Sequence, residues 1–134
     1  MIRLGMLISA VAFCFVATAE MAAAADKKVW RLGRVYYRMV CTDCHTNQAD
    51  KKIGPNSRTI AEWNAYLDAD AHDVTGKSNP KLSYYTSVEY RESVKDSNKA
   101  AKKFLKMPAE DLHAAVRAWV VYGAKDSDNP ASCQ

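Results

Sequence analysis

The pattern most specific for chemistry in this chain of 134 residues is Cys41-Thr42-Asp43-Cys44-His45. Side chains three residues apart on a helix are neighbours, so both thiols can react with one partner molecule. The histidine after Cys44 can supply a nitrogen ligand to a metal. C-x-x-C-H is the sequence at which haem c is attached. It therefore predicts one covalently bound haem c, with Cys41 and Cys44 forming thioethers to the porphyrin and His45 binding its iron.

Two other uses of paired cysteines fit less well. A thioredoxin-like redox pair is expected next to a βαβ pattern, and no strand pattern is evident in this sequence. A structural zinc site needs four ligands. Cys133 with a distant histidine would be a poor supplement to Cys41 and Cys44.

The first 25 residues have the layout of a secretory signal peptide. Arg3 provides a positive charge, residues 4–19 are almost uninterruptedly apolar, and residues 22–25 are alanines. The apolar run is shorter than the roughly 20 residues that a spanning helix needs. Cys14 follows the bulky Phe13, where a lipid-attachment site has a small residue. We expect cleavage of residues 1–25, export to the periplasm, and a mature domain of residues 26–134 without stable membrane insertion.

Composition excludes several classes of protein. The chain is 49% hydrophobic and 25% charged, which excludes wholesale disorder. A net charge of +4 is too small to indicate a nucleic-acid-binding protein. Of the four cysteines, Cys14 would leave with the leader, and the odd number that remains disfavours a domain held together by disulfides. The sequence indicates no function for Cys133.

Helical periodicity predicts the elements that position the motif. Apolar residues at helical spacing indicate a helix over residues 28–40 that runs directly into Cys41. Thr59 and Glu62 form a capping-box pattern for a short helix over residues 60–67. Residues 68–80 are typical of a loop. These elements predict a small all-α domain wrapped around the haem.

The second half of the chain also has helical signals. A helix beginning after Thr86 or Ser87 is expected to end at Val94, and caps at residues 96–98 precede another over residues 99–106. Pro108 suits the first turn of the last helix. The predicted buried face of that helix consists of Leu112, Val116, Trp119, Val120 and Gly123.

The chain resembles the class I c-type cytochromes in more than its haem motif. Gly33 and Tyr37 stand eight and four residues before Cys41, and Val116 and Trp119 match the family pattern in the last helix. The resemblance implies that Gly33 permits a close crossing of the first and last helices. Gly54-Pro55-Asn56 also matches, which implies that the Pro55 carbonyl accepts a hydrogen bond from the His45 imidazole. The resemblance is weak over residues 68–106.

The second axial ligand of the iron is less clearly marked. The family usually supplies a methionine sulfur, and Met107, which precedes Pro108, is the favoured candidate, although it directly abuts the last helix. Met39 is interpreted as a core residue. His72 is the next candidate, and a weak ligand near Asn98 or an open position are the others. We expect His113 to be exposed.

These expectations predict a monohaem cytochrome that carries single electrons between redox proteins. No set of acid, base and nucleophile emerges, so we do not expect an enzyme. The alternatives are a haem protein that binds small gaseous ligands or senses redox state, and a haem subunit of a periplasmic oxidoreductase. The protein is expected to be a monomer. A lysine stripe would dock a partner with an acidic surface if residues 95–106 form one helix: Lys95, Lys99, Lys102, Lys103 and Lys106.

Overall fold

A computed structural model describes residues 27–47, 53–72 and 79–132. All regular elements in these three ranges are helical, and the one β-bridge, between Ala71 and Lys81, is isolated. The prediction of an all-α chain is confirmed for the described residues. The predicted signal peptide and Cys133 lie outside the described residues. Within the described ranges, no helix combines the length and apolar character needed to cross a membrane.

Within the described ranges, six α-helices and three short helical turns follow one another. Helix α1 covers residues 27–36 and continues through a π-helical turn, Tyr37–Cys41, into α2, Thr42–Asn47. A 3₁₀ turn, Pro55–Ser57, precedes α3, Ile60–Asp68. A second 3₁₀ turn, Ser83–Thr86, leads into α4, Val88–Val94. Helix α5 is Lys99–Lys103, and α6 is Ala109–Tyr122.

Local capping chemistry explains where three of these helices begin. The Thr59 side chain accepts a hydrogen bond from the Glu62 amide, and the Glu62 carboxylate accepts one from the Thr59 amide, which confirms the predicted capping box of α3. Ser87 caps α4, and Asn98 caps α5. Helix α5 ends at Lys103 rather than at the predicted residue 106, because the Phe104 amide donates to the Ala101 and Lys102 carbonyls, which closes the last turn of the helix.

Helices α1 and α6 cross closely at Gly33. A Cβ atom on Gly33 would lie 1.8 Å from the Ala115 carbonyl oxygen and 2.9 Å from the Val116 amide nitrogen. These distances leave no room for any side chain. The close crossing of the first and last helices that was expected at Gly33 is therefore confirmed.

The core lies between this crossing and helices α3 and α5. Trp30 stacks on Tyr122 with ring centroids 4.4 Å apart, and Tyr36 packs edge-on against Phe104 at 5.2 Å. The predicted buried face of α6 is confirmed. The largest apolar core residues are Tyr36, Tyr37, Val40, Trp63, Leu67, Phe104, Leu112, Val116, Trp119 and Val120.

Met39 does not belong to the core. Its exposed fraction is 56%, so the interpretation of Met39 as a core residue is wrong. The neighbouring residues Tyr37 and Val40 are buried, and Met39 lies between them on the opposite side of the helical segment. Its carbonyl accepts a hydrogen bond from the Asn98 side-chain amide.

Arg91 of α4 is completely buried, which the sequence did not indicate. Its Nε donates to the Ser87 carbonyl, and its Nη1 donates to the carbonyls of Phe104 and Met107. Its Nη2 is buried without a hydrogen-bond partner among the described residues. The guanidinium therefore ties α4 to the turn between α5 and α6.

Candidate haem-attachment site

The C-x-x-C-H residues lie at the end of one continuous helical segment. Cys41 is the last residue of the π-helical turn, and Cys44 and His45 belong to α2. The Thr42 amide donates to the Tyr37 carbonyl five residues earlier, which is the hydrogen bond that defines a π-turn. All three side chains are half-buried. The helix that carries Gly33 thus leads directly to the three residues predicted to hold haem.

His72 lies next to His45. Their ring centroids are 5.9 Å apart, and the ring planes are inclined by 50°. His72 is half-buried, and its amide donates to the Pro80 carbonyl at 2.8 Å. The segment after α3 therefore brings a second imidazole to the one in the motif.

Three tyrosines extend this histidine pair into an aromatic cluster. The Tyr85 ring centroid is 4.8 Å from that of His72 and 5.1 Å from that of Tyr90, and Tyr84 contacts both other tyrosines. The Tyr36 hydroxyl donates to the Tyr85 carbonyl, so the cluster is fixed to the first helical segment. No local pattern in the sequence predicts these contacts between the tyrosines.

Burial raises the pKa of two tyrosines beside the cysteines above its ordinary value of 10. Desolvation, followed by the nearby Cys41 and Cys44 thiols, raises the pKa of Tyr90 to about 12. Burial is also the largest cause of the raised pKa of Tyr36. Both tyrosines therefore contribute neutral, largely apolar surface beside the cysteines.

Pro55 is buried, and its carbonyl accepts a hydrogen bond from the Trp63 indole at 2.6 Å. The loop before it is fixed by the Tyr37 hydroxyl, which donates to the Ile53 carbonyl at 2.7 Å. The hydrogen bond from His45 that was expected at the Pro55 carbonyl stays a prediction. The hydrogen bond from the Trp63 indole is a further constraint on the Pro55 carbonyl, and no local sequence pattern predicts it.

Met107 is half-buried and packs against the hydrophobic core, and its carbonyl accepts the hydrogen bond from Arg91 at 2.9 Å. Ligation by Met107 stays a prediction.

The side-chain amide of Asn98 forms hydrogen bonds within the protein. Its oxygen accepts from the amides of Ala100 and Ala101, and its nitrogen donates to the Met39 carbonyl.

His113 is not exposed, contrary to expectation. It is half-buried on a cleft of about 370 Å³ between α3, the 3₁₀ turn Ser83–Thr86 and α6. Its Nδ1 lies 3.4 Å from the Thr86 hydroxyl. Desolvation, and then the nearby Arg117 guanidinium, lower the pKa of His113 below its ordinary value. His113 lies off the Leu112 face of α6, which is why it was expected to be exposed. The 3₁₀ turn Ser83–Thr86 covers it instead, and this contact has no local sequence pattern.

The lysine stripe does not lie on one helix. Helix α4 ends at Val94 and α5 begins at Lys99, so the condition of a continuous helix over residues 95–106 is not met. Lys95 forms an ion pair with Glu92 at 2.6 Å. The four exposed lysines of the stripe belong to α5 and the turn that follows it: Lys99, Lys102, Lys103 and Lys106.

The donor set fits a haem better than a bare metal ion. Among the described residues, no three His, Cys, Asp or Glu side chains are grouped so that they could hold a metal ion. Haem c needs two thiols that form thioethers and one imidazole that binds the iron, because the macrocycle supplies four of the iron ligands. Cys41, Cys44 and His45 are compatible with that requirement, and His72 places a second imidazole beside His45.

Comparisons of the chain with protein-family models, with curated proteins and with solved structures find no match.

Proposed function

We propose that the protein is a periplasmic monohaem c-type cytochrome that carries single electrons between redox proteins. The proposal is carried by the half-buried Cys41, Cys44 and His45 at the end of the first helical segment, beside an aromatic cluster. Gly33 supports it independently, since the close α1–α6 crossing is the packing that the resemblance to class I cytochromes implies.

Iron in a bound haem would supply the one-electron chemistry, by alternating between the ferrous and ferric states. The residues of the chain would perform three tasks. Cys41 and Cys44 would hold the porphyrin through thioethers, so that retention does not depend on a large core. His45 would supply one nitrogen ligand to the iron. The neutral side chains of Tyr36 and Tyr90 would exclude water from that side of the site, and low solvent exposure is one of the properties that set a haem potential.

The partner is proposed to be a redox protein with an acidic surface. The exposed lysines of α5 and the following turn provide a positive surface for electrostatic steering. No bond of a substrate is made or broken in this function, so the protein acts as a carrier rather than as an enzyme. Export is required because haem c is assembled outside the cytoplasm in this proposal, in agreement with the signal-peptide layout of residues 1–25.

Covalent attachment can be tested on the full chain, produced with its leader in cells that attach haem to exported proteins. The purified protein should retain its haem in acidified organic solvent. The Cys41→Ala/Cys44→Ala variant should release all of it, because both thioethers are removed. Cys133→Ala is the matched control and should retain haem as the wild type does. A wild-type protein that contains no haem, or releases it under these conditions, would contradict the proposal.

A further inference from the structure

We infer that His72 is the second axial ligand of the iron, on the opposite side of the haem from His45. This inference rests on the proposed function and specifies the ligand set of the same site. The observation behind it is the distance of 5.9 Å between the two ring centroids.

The distance agrees with two imidazoles that share one metal. A histidine nitrogen binds a transition metal at roughly 2 Å. Adding the distance from the nitrogen to the ring centre on both sides places the two centroids about 6 Å apart. Two rings bound on opposite sides of one iron can rotate about their metal–nitrogen bonds, so the inclination of 50° is compatible with this arrangement.

The backbone that leads to His72 is fixed by contacts of Asp70, Ala71 and His72 itself. Asp70 accepts hydrogen bonds from the Ser83 amide at 2.6 Å and from the Ser83 hydroxyl at 2.7 Å. Ala71 pairs with Lys81, and the His72 amide donates to the Pro80 carbonyl. These bonds join the end of α3 to the segment that begins the second 3₁₀ turn. His72 is therefore held at a defined position beside His45, which is what an axial ligand requires.

Tyr85 packs against the His72 ring and is itself held by three hydrogen bonds. Its ring lies against His72 at 4.8 Å between centroids. Its hydroxyl accepts from the Asn79 amide at 2.8 Å and donates to the Asn79 carbonyl at 3.1 Å. Its own carbonyl accepts from Tyr36 on the first helical segment. The ring contact with Tyr85 thus restricts the orientation of the His72 imidazole.

Met107 has a different set of contacts. Its carbonyl is bound to the buried Arg91 guanidinium, and its side chain is part of the packing around the core. These contacts give Met107 a structural role at the start of α6, whereas the contacts of His72 lead to His45. A histidine in place of methionine lowers the potential of a haem, because methionine ligation raises it.

The test uses the full-length holoprotein, with covalent haem first measured as the pyridine complex of the alkaline, reduced protein. The wild type should be low-spin in both oxidation states, should lack the weak red absorption band of ferric iron bound to methionine, and should not bind carbon monoxide rapidly at neutral pH. His72→Ala should become high-spin and bind carbon monoxide stoichiometrically, and added imidazole should restore the low-spin spectrum. Met107→Ala should keep the wild-type spectrum, and His113→Ala is the matched histidine control.

Three results would overturn the inference while leaving the proposed function intact. The first is a red band in the wild type that Met107→Ala abolishes. The second is rapid binding of carbon monoxide by the wild type, which would indicate an open site. The third is an unchanged low-spin spectrum in His72→Ala. The wild-type spectra decide between the ligands even if a variant fails to fold. Absence of covalent haem would instead contradict the proposed function itself.

Discussion

His113 and His72 show how strongly the environment of a single histidine depends on distant segments. His113 was expected on the surface, and His72 was the second candidate for an iron ligand in a segment typical of a loop; both are half-buried. His113 is covered by Thr86, 27 residues earlier in the chain. His72 meets His45 because the chain returns to the first helical segment after α3. Neither contact has a local pattern, so spacing and composition alone could not predict them.

The lowered pKa of His113 predicts a specific pH dependence of folding stability. Burial and the nearby Arg117 lower this pKa below the ordinary 6.5 in the folded protein. The unfolded chain therefore binds a proton more readily, and unfolding is favoured as the pH falls from about 6.5 through the folded-state pKa. The stability that depends on a neutral His113 is fully present above this window.

Urea unfolding at about pH 7.5 and about pH 5 would measure this effect. The wild type should lose more free energy of unfolding between the two pH values than His113→Gln, because glutamine does not titrate. Carboxylates other than Asp70, whose pKa the charge of His113 helps to lower, titrate alike in both proteins and cancel in the comparison. Equal losses in the two proteins would exclude the assigned role of His113.

At the scale of elements, the sequence was most informative where the interactions are local. The capping box of Thr59 and Glu62 and the caps at Ser87 and Asn98 occur at predicted positions, since each bond spans two or three residues. The π-helical turn Tyr37–Cys41 and the end of α5 at Lys103 were not predicted. These features depend on how the segments pack against one another, and helical periodicity in the sequence carries no information about that packing.

The α1–α6 crossing predicts that Gly33→Ala destabilises the protein. Alanine should stabilise an isolated helix by about 1 kcal/mol relative to glycine. Here its Cβ would occupy the position of the Ala115 carbonyl, so the two helices would have to separate. We expect a net loss of about 1–3 kcal/mol in the free energy of unfolding.

Denaturant unfolding monitored by circular dichroism would measure this loss. Val35→Ala is the matched control, because Val35 belongs to the same helix and is 49% exposed. This control should change the free energy of unfolding by about 0.5 kcal/mol or less. Gly33→Ala with wild-type stability would show that the crossing is looser than described.

At the scale of the whole molecule, the exposed lysines of α5 and the turn that follows it predict salt-dependent association with an acidic redox partner. Lys102→Glu/Lys103→Glu should reduce the second-order rate constant of electron transfer with a small acidic redox protein by about tenfold at low ionic strength. The difference should disappear in about 1 M salt, where charges are screened over a few ångströms. Stopped-flow absorbance of the haem would follow the reaction.

Lys27→Glu/Lys28→Glu is the matched control for this experiment. It makes the same change in net charge at exposed positions of α1. If both double variants slow the reaction equally, net charge rather than the lysines of α5 and its following turn governs association.

The loop that contains Pro55 is closed by the last described residues of the chain. The Asn56 amide donates to the Ala131 carbonyl, the Lys125 amide donates to the Arg58 carbonyl, and the Ile60 amide donates to the Asp126 carboxylate. The Gly33 crossing likewise requires α6. Because a chain is synthesised from its N-terminus, Cys41 and Cys44 leave the ribosome before these C-terminal partners exist. The close crossing at Gly33 and the closed Pro55 loop can therefore form only after both thiols have been synthesised.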